Sequence, residues 1–113
     1  MKREERQFLL TSVWMFMRHG QRMRARKLCA ALVEDDPHDG VAACAYAELL
    51  LEEGEAREAL DALMAADIPP SLVHAGAVLE SRALRSLGKV READSRWRRH
   101  LESQKGAARK WVT

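Results

Sequence analysis

The sequence predicts an all-α fold, a right-handed solenoid of three degenerate helix hairpins followed by a short C-terminal segment. Three observations lead to this prediction. A glycine followed five residues later by an alanine occurs three times, at Gly20, Gly54 and Gly88, and consecutive glycines are 34 residues apart. The chain is 47% hydrophobic and 32% charged, but only 5% aromatic. This composition favours helices over strands, and a fixed period of this length indicates stacked repeats.

The first hairpin is predicted over residues 5–37. Apolar residues recur at spacings of three and four between Phe8 and Met17, which is the pattern of a helix. Gly20 supplies the left-handed backbone geometry that a turn between two helices needs. The second helix is expected to end before Pro37, because the residue preceding a proline resists helical geometry.

The other two hairpins repeat this arrangement. The second is predicted over residues 38–70, with its turn at Gly54, and the third over residues 71–104, with its turn at Gly88. Residues 105–113 form a tail that we expect either to add a short helix or to pack over the last hairpin. The whole chain is therefore expected to form a single domain.

A 34-residue helix–turn–helix unit of this kind resembles the tetratricopeptide repeat. An alanine one turn into each second helix lets the two helices of a hairpin approach closely, and these residues are Ala25, Ala59 and Ala93. Asp36 and Pro37 lie where the closing Asp-Pro of that repeat belongs. The repeats are degenerate, since the consensus Trp and Gly of the first helix are missing in all three units.

The first helix of each hairpin lines the concave binding surface of such a stack. Counting in repeat phase, and adding the apolar start of the chain, gives ten candidate partner-binding residues: Phe8, Leu10, Trp14, Met17, Cys44, Glu48, Leu51, Val78, Arg82 and Arg85. The first helix is apolar nearly all round, whereas a helix on the surface of a monomer normally has one apolar stripe. We therefore expect another copy or a different chain to cover it. The alternative is that residues 1–7 or the tail with Trp111 fold back over it.

The charge is arranged in three bands. Residues 1–33 carry eight basic and two acidic side chains, residues 34–67 one basic and eleven acidic, and residues 68–113 ten basic and four acidic. An acidic middle argues against a nucleic-acid partner, which would require a broad basic surface. Banded charge fits recognition of a protein, and solvated helix faces are the alternative interpretation.

No pattern predicts an enzyme, a cofactor or a metal site. The four histidines lack metal-ligand spacing, the glycines lie at turns between helices, and no serine or cysteine has a base at motif spacing. Cys29 and Cys44 are expected to be reduced core residues, which fits the cytoplasm. The apolar run at residues 8–17 is too short to span a bilayer and lacks a signal-peptide cleavage site, so we expect no membrane insertion.

The N-terminal residues also resemble a known family, the Y-type chaperones of the type III secretion injectisome (SctY, also called YscY). The phrases that carry the resemblance are Arg6-Gln7, Phe8-Leu9-Leu10, Trp14, Gly20, Arg24-Ala25 and Pro37, although Gln7 is displaced relative to the family pattern. A looser similarity continues through the later turns to residue 103, and the tail is unmatched.

The resemblance implies a small helical chaperone of the bacterial cytoplasm without a cofactor or a catalysed reaction. Its partner would be a small helical secreted protein of the SctX type, held as a heterodimer, and the pair would engage the cytosolic domain of the export gate SctV. A needle-subunit or translocator chaperone of the same system stays open. So do a general tetratricopeptide adaptor for peptide tails and a scaffold that pairs through its own apolar helix.

Overall fold

Six α-helices make up most of the part of the chain that the structure describes, which is the backbone of residues 1–112 and the side chains of residues 1–110. The structure is a computed structural model. In chain order the helices are α1 (Arg3–Arg18), α2 (Arg22–Asp35), α3 (Gly40–Glu52), α4 (Ala56–Ala65), α5 (Val73–Ser86) and α6 (Val90–Val112), with a 3-10 helix at Pro70–Leu72 before α5. Helices α1 and α2, α3 and α4, and α5 and α6 pack as hairpins. The predicted all-α hairpin fold is confirmed, and the right-handed solenoid stays a prediction.

The three hairpins turn in the same way. Gly20, Gly54 and Gly88 have φ angles of 73°, 82° and 78°, in the left-handed region that strains any residue with a side chain. After each glycine, the next amide donates to the carbonyl five residues earlier, and the N···O distance is 2.8 Å in all three turns. This is the Schellman arrangement, which satisfies carbonyls at the end of the first helix. The repeat glycines therefore act as the sequence predicts.

The alanine of each repeat lies where the sequence pattern predicts that the two helices of a hairpin approach each other closely. Ala25, Ala59 and Ala93 are fully buried, each near the start of the second helix of its hairpin. A methyl group at this position leaves room for the backbone of the neighbouring helix. A larger side chain there would push the two helices of the hairpin apart.

Successive hairpins stack because the second helix of one packs against the first helix of the next. Helix α2 contacts α3, α4 contacts α5, and α3 contacts α5 directly. Gly40, at the start of α3, lies under the chain that leaves α4. A Cβ atom at Gly40 would be 2.3 Å from the carbonyl oxygen of Asp67 and 2.7 Å from Cδ of Pro69. Only glycine fits this crossing.

Arg6 joins α1 to the junction between the first two hairpins. Its guanidinium lies 2.7 Å from the carboxylate of Asp35 and 2.8 Å from that of Asp39, and it donates to the carbonyl of Leu32 at 3.1 Å. Asp39 also caps α3, since its side chain accepts from two amides of the first turn. One arginine thereby fixes the start of α1, the end of α2 and the start of α3.

The core is divided unequally. The larger cluster occupies the first two hairpins and reaches α5 at Leu79, and its fully buried side chains include Val13, Cys29, Leu32, Leu49 and Leu50. The smaller cluster lies mainly in the third hairpin and consists of Leu60, Ala83, Leu84 and Ala93, with two half-buried leucines against it. The third hairpin is therefore held by fewer buried side chains than the first.

Helix α6 is longer than predicted. The sequence predicts that the third hairpin ends at residue 104 and that a separate tail begins at residue 105, but α6 continues through Gly106 to Val112. Glycine inside a helix costs only about 1 kcal/mol, so it does not by itself end one. Residues 101–110 are all exposed and do not pack over the last hairpin. The side chain of Trp111 and the last residue, Thr113, lie outside the described residues.

Candidate protein-binding surface

Helix α1 leaves three large apolar side chains exposed. Phe8 is 71% exposed, Met15 56% and Trp14 47%, while Val13 on the same helix is fully buried. The helix thus packs through one face and carries apolar side chains on others. Neighbouring exposed apolar side chains are typical of a surface that contacts another protein.

The structure places two of the predicted binding residues, Leu10 and Cys44, in the core. Each is only 7% exposed. Leu10 lies on the face of α1 that also carries Val13 and is buried in the hairpin with α2. Cys44 is enclosed because α2, α4 and α5 all pack against α3, which buries nearly every residue of that helix.

The other predicted residues retain some exposure, and all except Phe8 occupy equivalent repeat positions on the first helices. One repeat position carries Trp14, Glu48 and Arg82, and the next inner position carries Met17, Leu51 and Arg85. Trp14 and both arginines are exposed, and the remaining three are half-buried, as is Val78. We call Trp14, Met17, Glu48, Leu51, Val78 and Arg82 the inner row. Its exposed residues differ in character, from an indole at one end to a guanidinium at the other.

The charged residues at these repeat positions are partly used inside the molecule. Arg85 forms an ion pair with Asp94 of α6. Within residues 1–110, neither Glu48 nor Arg82 forms a salt bridge. These two opposite charges are therefore the ones that a bound polypeptide could pair with.

Met15 is an exposed residue that the sequence argument did not include among the candidates. Met15 could have been identified from the 34-residue period, by comparing it with the equivalent residue of the second hairpin. Residue 49, the equivalent position in the second hairpin, is a fully buried leucine on the helix that packs against α2. On α1 the same position, Met15, is exposed.

The third hairpin contains a groove that the sequence did not indicate. It has a volume of about 250 Å³ and lies between α5, α6 and the end of the second hairpin. Trp97 stands against His74 and His100, whose ring nitrogens are 3.1 Å apart. Arg96 at the groove is already held by Glu80 at 2.7 Å and Glu92 at 2.9 Å. The contacts of His74 with Trp97 and His100, and that of Arg96 with Glu80, join residues of different helices, which no local motif reveals.

The two cysteines do not have the environment of a nucleophile. Burial raises the pKa of the Cys29 thiol to about 12, and burial together with the nearby Glu48 raises the pKa of Cys44. A thiolate is the reactive form, so both residues are inert at neutral pH. Both are free thiols, as the sequence predicts.

A metal-binding cluster and a membrane-spanning helix are both absent from the described residues. Among the side chains of residues 1–110, no group of three or more His, Cys, Asp or Glu residues is arranged to hold a metal ion. Within residues 1–112, none of the helices combines the length and apolar composition needed to cross a bilayer.

Comparisons with known proteins do not assign the chain to a family. No model of a known protein family matches it, and no curated protein matches it. A functional proposal therefore depends on the hairpin fold, the exposed apolar helix and the inner row.

Proposed function

We propose that this protein is a helical-hairpin chaperone that captures a partner polypeptide on its inner row. The observation that carries the proposal is Trp14, whose indole is 47% exposed on a helix that packs into the core through Leu10 and Val13. Tryptophan is enriched among the residues that contribute most to binding at protein interfaces. A rigid helix that presents it in advance of binding lowers the entropic cost of association.

The chemistry of the inner row defines the kind of partner. Half-buried Met17 and Leu51 extend the apolar surface beside Trp14, and methionine adapts easily to different shapes. Glu48 and Arg82 add two unpaired charges of opposite sign. A partner helix with apolar residues at one end, and with a basic and then an acidic residue further along, would match this order.

More specifically, we propose a type III secretion chaperone of the Y type, acting in the bacterial cytoplasm. Its partner would be a small helical secreted protein of the SctX kind, and the heterodimer would dock on the cytosolic domain of the export gate SctV. The phrase from Arg6 to Pro37 supports this choice over other chaperones of the same system. The exposed α1 supports it too, because a chaperone of a wrapped partner needs an apolar surface for that partner to cover.

Co-expression tests the proposal directly. The chain is produced together with the small secreted proteins encoded beside it, and stable complexes are isolated and weighed by light scattering. We expect one of them to form a 1:1 unit with the chain. We expect Trp14→Glu to weaken that complex by at least about thirtyfold, which corresponds to the cost of losing a central interface residue.

Val90→Glu is the matched control, since Val90 has the same exposed fraction as Trp14 but lies on α6. This variant should bind like the unchanged chain, and circular dichroism should give equal helix content for both variants. Failure of every co-expressed secreted protein to bind the chain would contradict the proposal. Equal binding by the two variants would exclude the inner row. Capture of a needle subunit or translocator instead would keep the chaperone class and reject the Y-type assignment.

A further inference from the structure

A second surface of α1 lies around the helix from Trp14. Glu4, Phe8, Thr11, Met15 and Arg18 follow one another at spacings of four, three, four and three residues, so they form one line along the helix. All five are exposed. We call this line the outer stripe. Trp14 lies about 80° around the helix axis from the middle of the stripe and borders it, since it is three residues after Thr11 and four before Arg18.

The repeat period shows what this face does elsewhere in the molecule. The residues 34 and 68 positions after Phe8, Thr11 and Met15 are Ala42, Ala45 and Leu49 in α3 and Gly76, Leu79 and Ala83 in α5. All six are buried. Both helices pack against the second helix of the preceding hairpin, α2 or α4. The outer stripe is therefore the face on which a neighbouring helix is expected.

The order of the residues in the outer stripe identifies that neighbour as another α1. Glu4 and Arg18 lie equally far from Thr11, about 10.5 Å in either direction along the helix axis. Phe8 lies three residues before Thr11 and Met15 four residues after it. If a second α1 is laid antiparallel with Thr11 facing Thr11, each Glu4 meets an Arg18 and each Phe8 meets a Met15.

We propose that two copies of this chain pair through their outer stripes, antiparallel and about a twofold axis at Thr11. Such an interface is isologous, because the same patch is used by both copies. Opposite charges at its two ends set the register and the direction. A parallel arrangement would place Glu4 against Glu4 and Arg18 against Arg18, and like charges at these spacings are unfavourable.

The charges at the ends of the outer stripe are available for this role. Within residues 1–110, neither Glu4 nor Arg18 forms a salt bridge, whereas Arg6 on the packed side of α1 is held by two carboxylates. The pairing is tested on the chain alone, so its failure is distinguishable from failure of the proposed capture, and Trp14 borders the outer stripe at Arg18. With both interactions present, the assembly would contain two copies of the chain and two of the partner.

Sedimentation of the purified chain over a wide concentration series tests the pairing. We expect a reversible dimer. Glu4→Arg and Arg18→Glu each convert two attractive contacts into two repulsive ones and should weaken the dimer about tenfold. The double variant should regain the original affinity, because it restores complementary charges. Glu5→Arg is the matched control, since it makes the same change in net charge one residue outside the stripe, and it should dimerise normally.

Variants with one added cysteine, treated with an oxidant, test whether the two α1 helices are antiparallel. Thr11→Cys lies on the proposed twofold axis and should form a disulfide between copies, whereas Arg18→Cys should not, because the two copies of residue 18 lie at opposite ends. The native Cys29 and Cys44 are buried and do not compete. A chain that stays monomeric at every concentration overturns the proposal. So does a dimer that tolerates both single charge swaps, or one in which residue 18 cross-links as readily as residue 11.

Discussion

The first and third hairpins lie at the two ends of the chain, and their outer helices, α1 and α6, expose different kinds of side chain to solvent. Helix α1 exposes Phe8, Trp14 and Met15, although Val13 on the same helix is fully buried. In the exposed part of α6, from residue 98 onward, most side chains are charged or polar. Terminal repeats of stacked-helix proteins need a polar outer face to stay soluble. Helix α6 therefore has the composition of an end of the stack, and α1 does not.

The two hairpins also differ in how firmly they are held. The first shares the larger core cluster with the second hairpin and is fastened to it by Arg6. The third has the smaller cluster, and its Arg96 forms ion pairs with Glu80 and Glu92 of the same hairpin. The apolar surface of α1 thus lies on the better-anchored hairpin. An exposed surface on a rigid support is suited to binding, whereas a poorly folded segment would not hold its side chains in place.

The largest expected effect comes from removing one buried leucine from each end. Leu32 and Leu84 are both fully buried, the first in the larger cluster and the second in the smaller. We expect Leu32→Ala to lower the free energy of unfolding by about 4 kcal/mol and Leu84→Ala by about 2 kcal/mol, because the smaller cluster can collapse around the cavity. Urea denaturation followed by circular dichroism measures both. Equal losses, or a larger loss for Leu84→Ala, would mean that the two ends are held alike.

A smaller effect is expected from the arginines. The side chain of Arg6 is 13% exposed and that of Arg96 is 29% exposed. Arg6→Ala should cost about 2 kcal/mol, since it leaves the half-buried Asp39 without its charge partner, and Arg96→Ala about 1 kcal/mol or less. Arg6→Lys should recover only part of the loss, because lysine cannot make the forked contacts of a guanidinium. Full recovery by lysine would show that charge alone fastens the first hairpin.

The middle hairpin contains Tyr46, the only tyrosine in the chain, and the titration of this side chain reports on the packing of that hairpin. Burial, followed by the hydrogen bond that its hydroxyl donates to Glu58 at 2.9 Å, raises its pKa to about 12. The folded state thus favours the neutral phenol, whose ordinary pKa is about 10. The resulting stability is fully present below about pH 10 and is lost as the pH rises through about 12.

The ultraviolet absorbance of tyrosinate follows this titration in the folded chain, with unfolded chain in denaturant as the reference. Near neutral pH, Tyr46→Phe should lower the free energy of unfolding by only about 1 kcal/mol, since it removes one hydrogen bond. It should also abolish the absorbance change. A folded-state titration at the ordinary pKa would contradict the burial of this ring.

The features that the sequence predicted correctly depend on chemistry within a few residues. The φ angles of Gly20, Gly54 and Gly88 follow from a turn that only glycine forms without strain, and the stop before Pro37 follows from a steric clash. The features that it missed depend on contacts between distant segments. Repeat counting could not place Leu10 and Cys44 in the core, because that depends on how closely the neighbouring helices approach.

Helix α6 is much longer than α5, the helix with which it forms the third hairpin. At 1.5 Å per residue, its 23 residues measure roughly 34 Å, against roughly 21 Å for the 14 residues of α5. The last turns of α6 therefore extend beyond the length of α5, and residues 101–110 are all exposed. A fluorescent dye attached to these turns would leave the apolar side chains of α1 uncovered, whereas a dye at the first residue would lie only seven residues from Phe8.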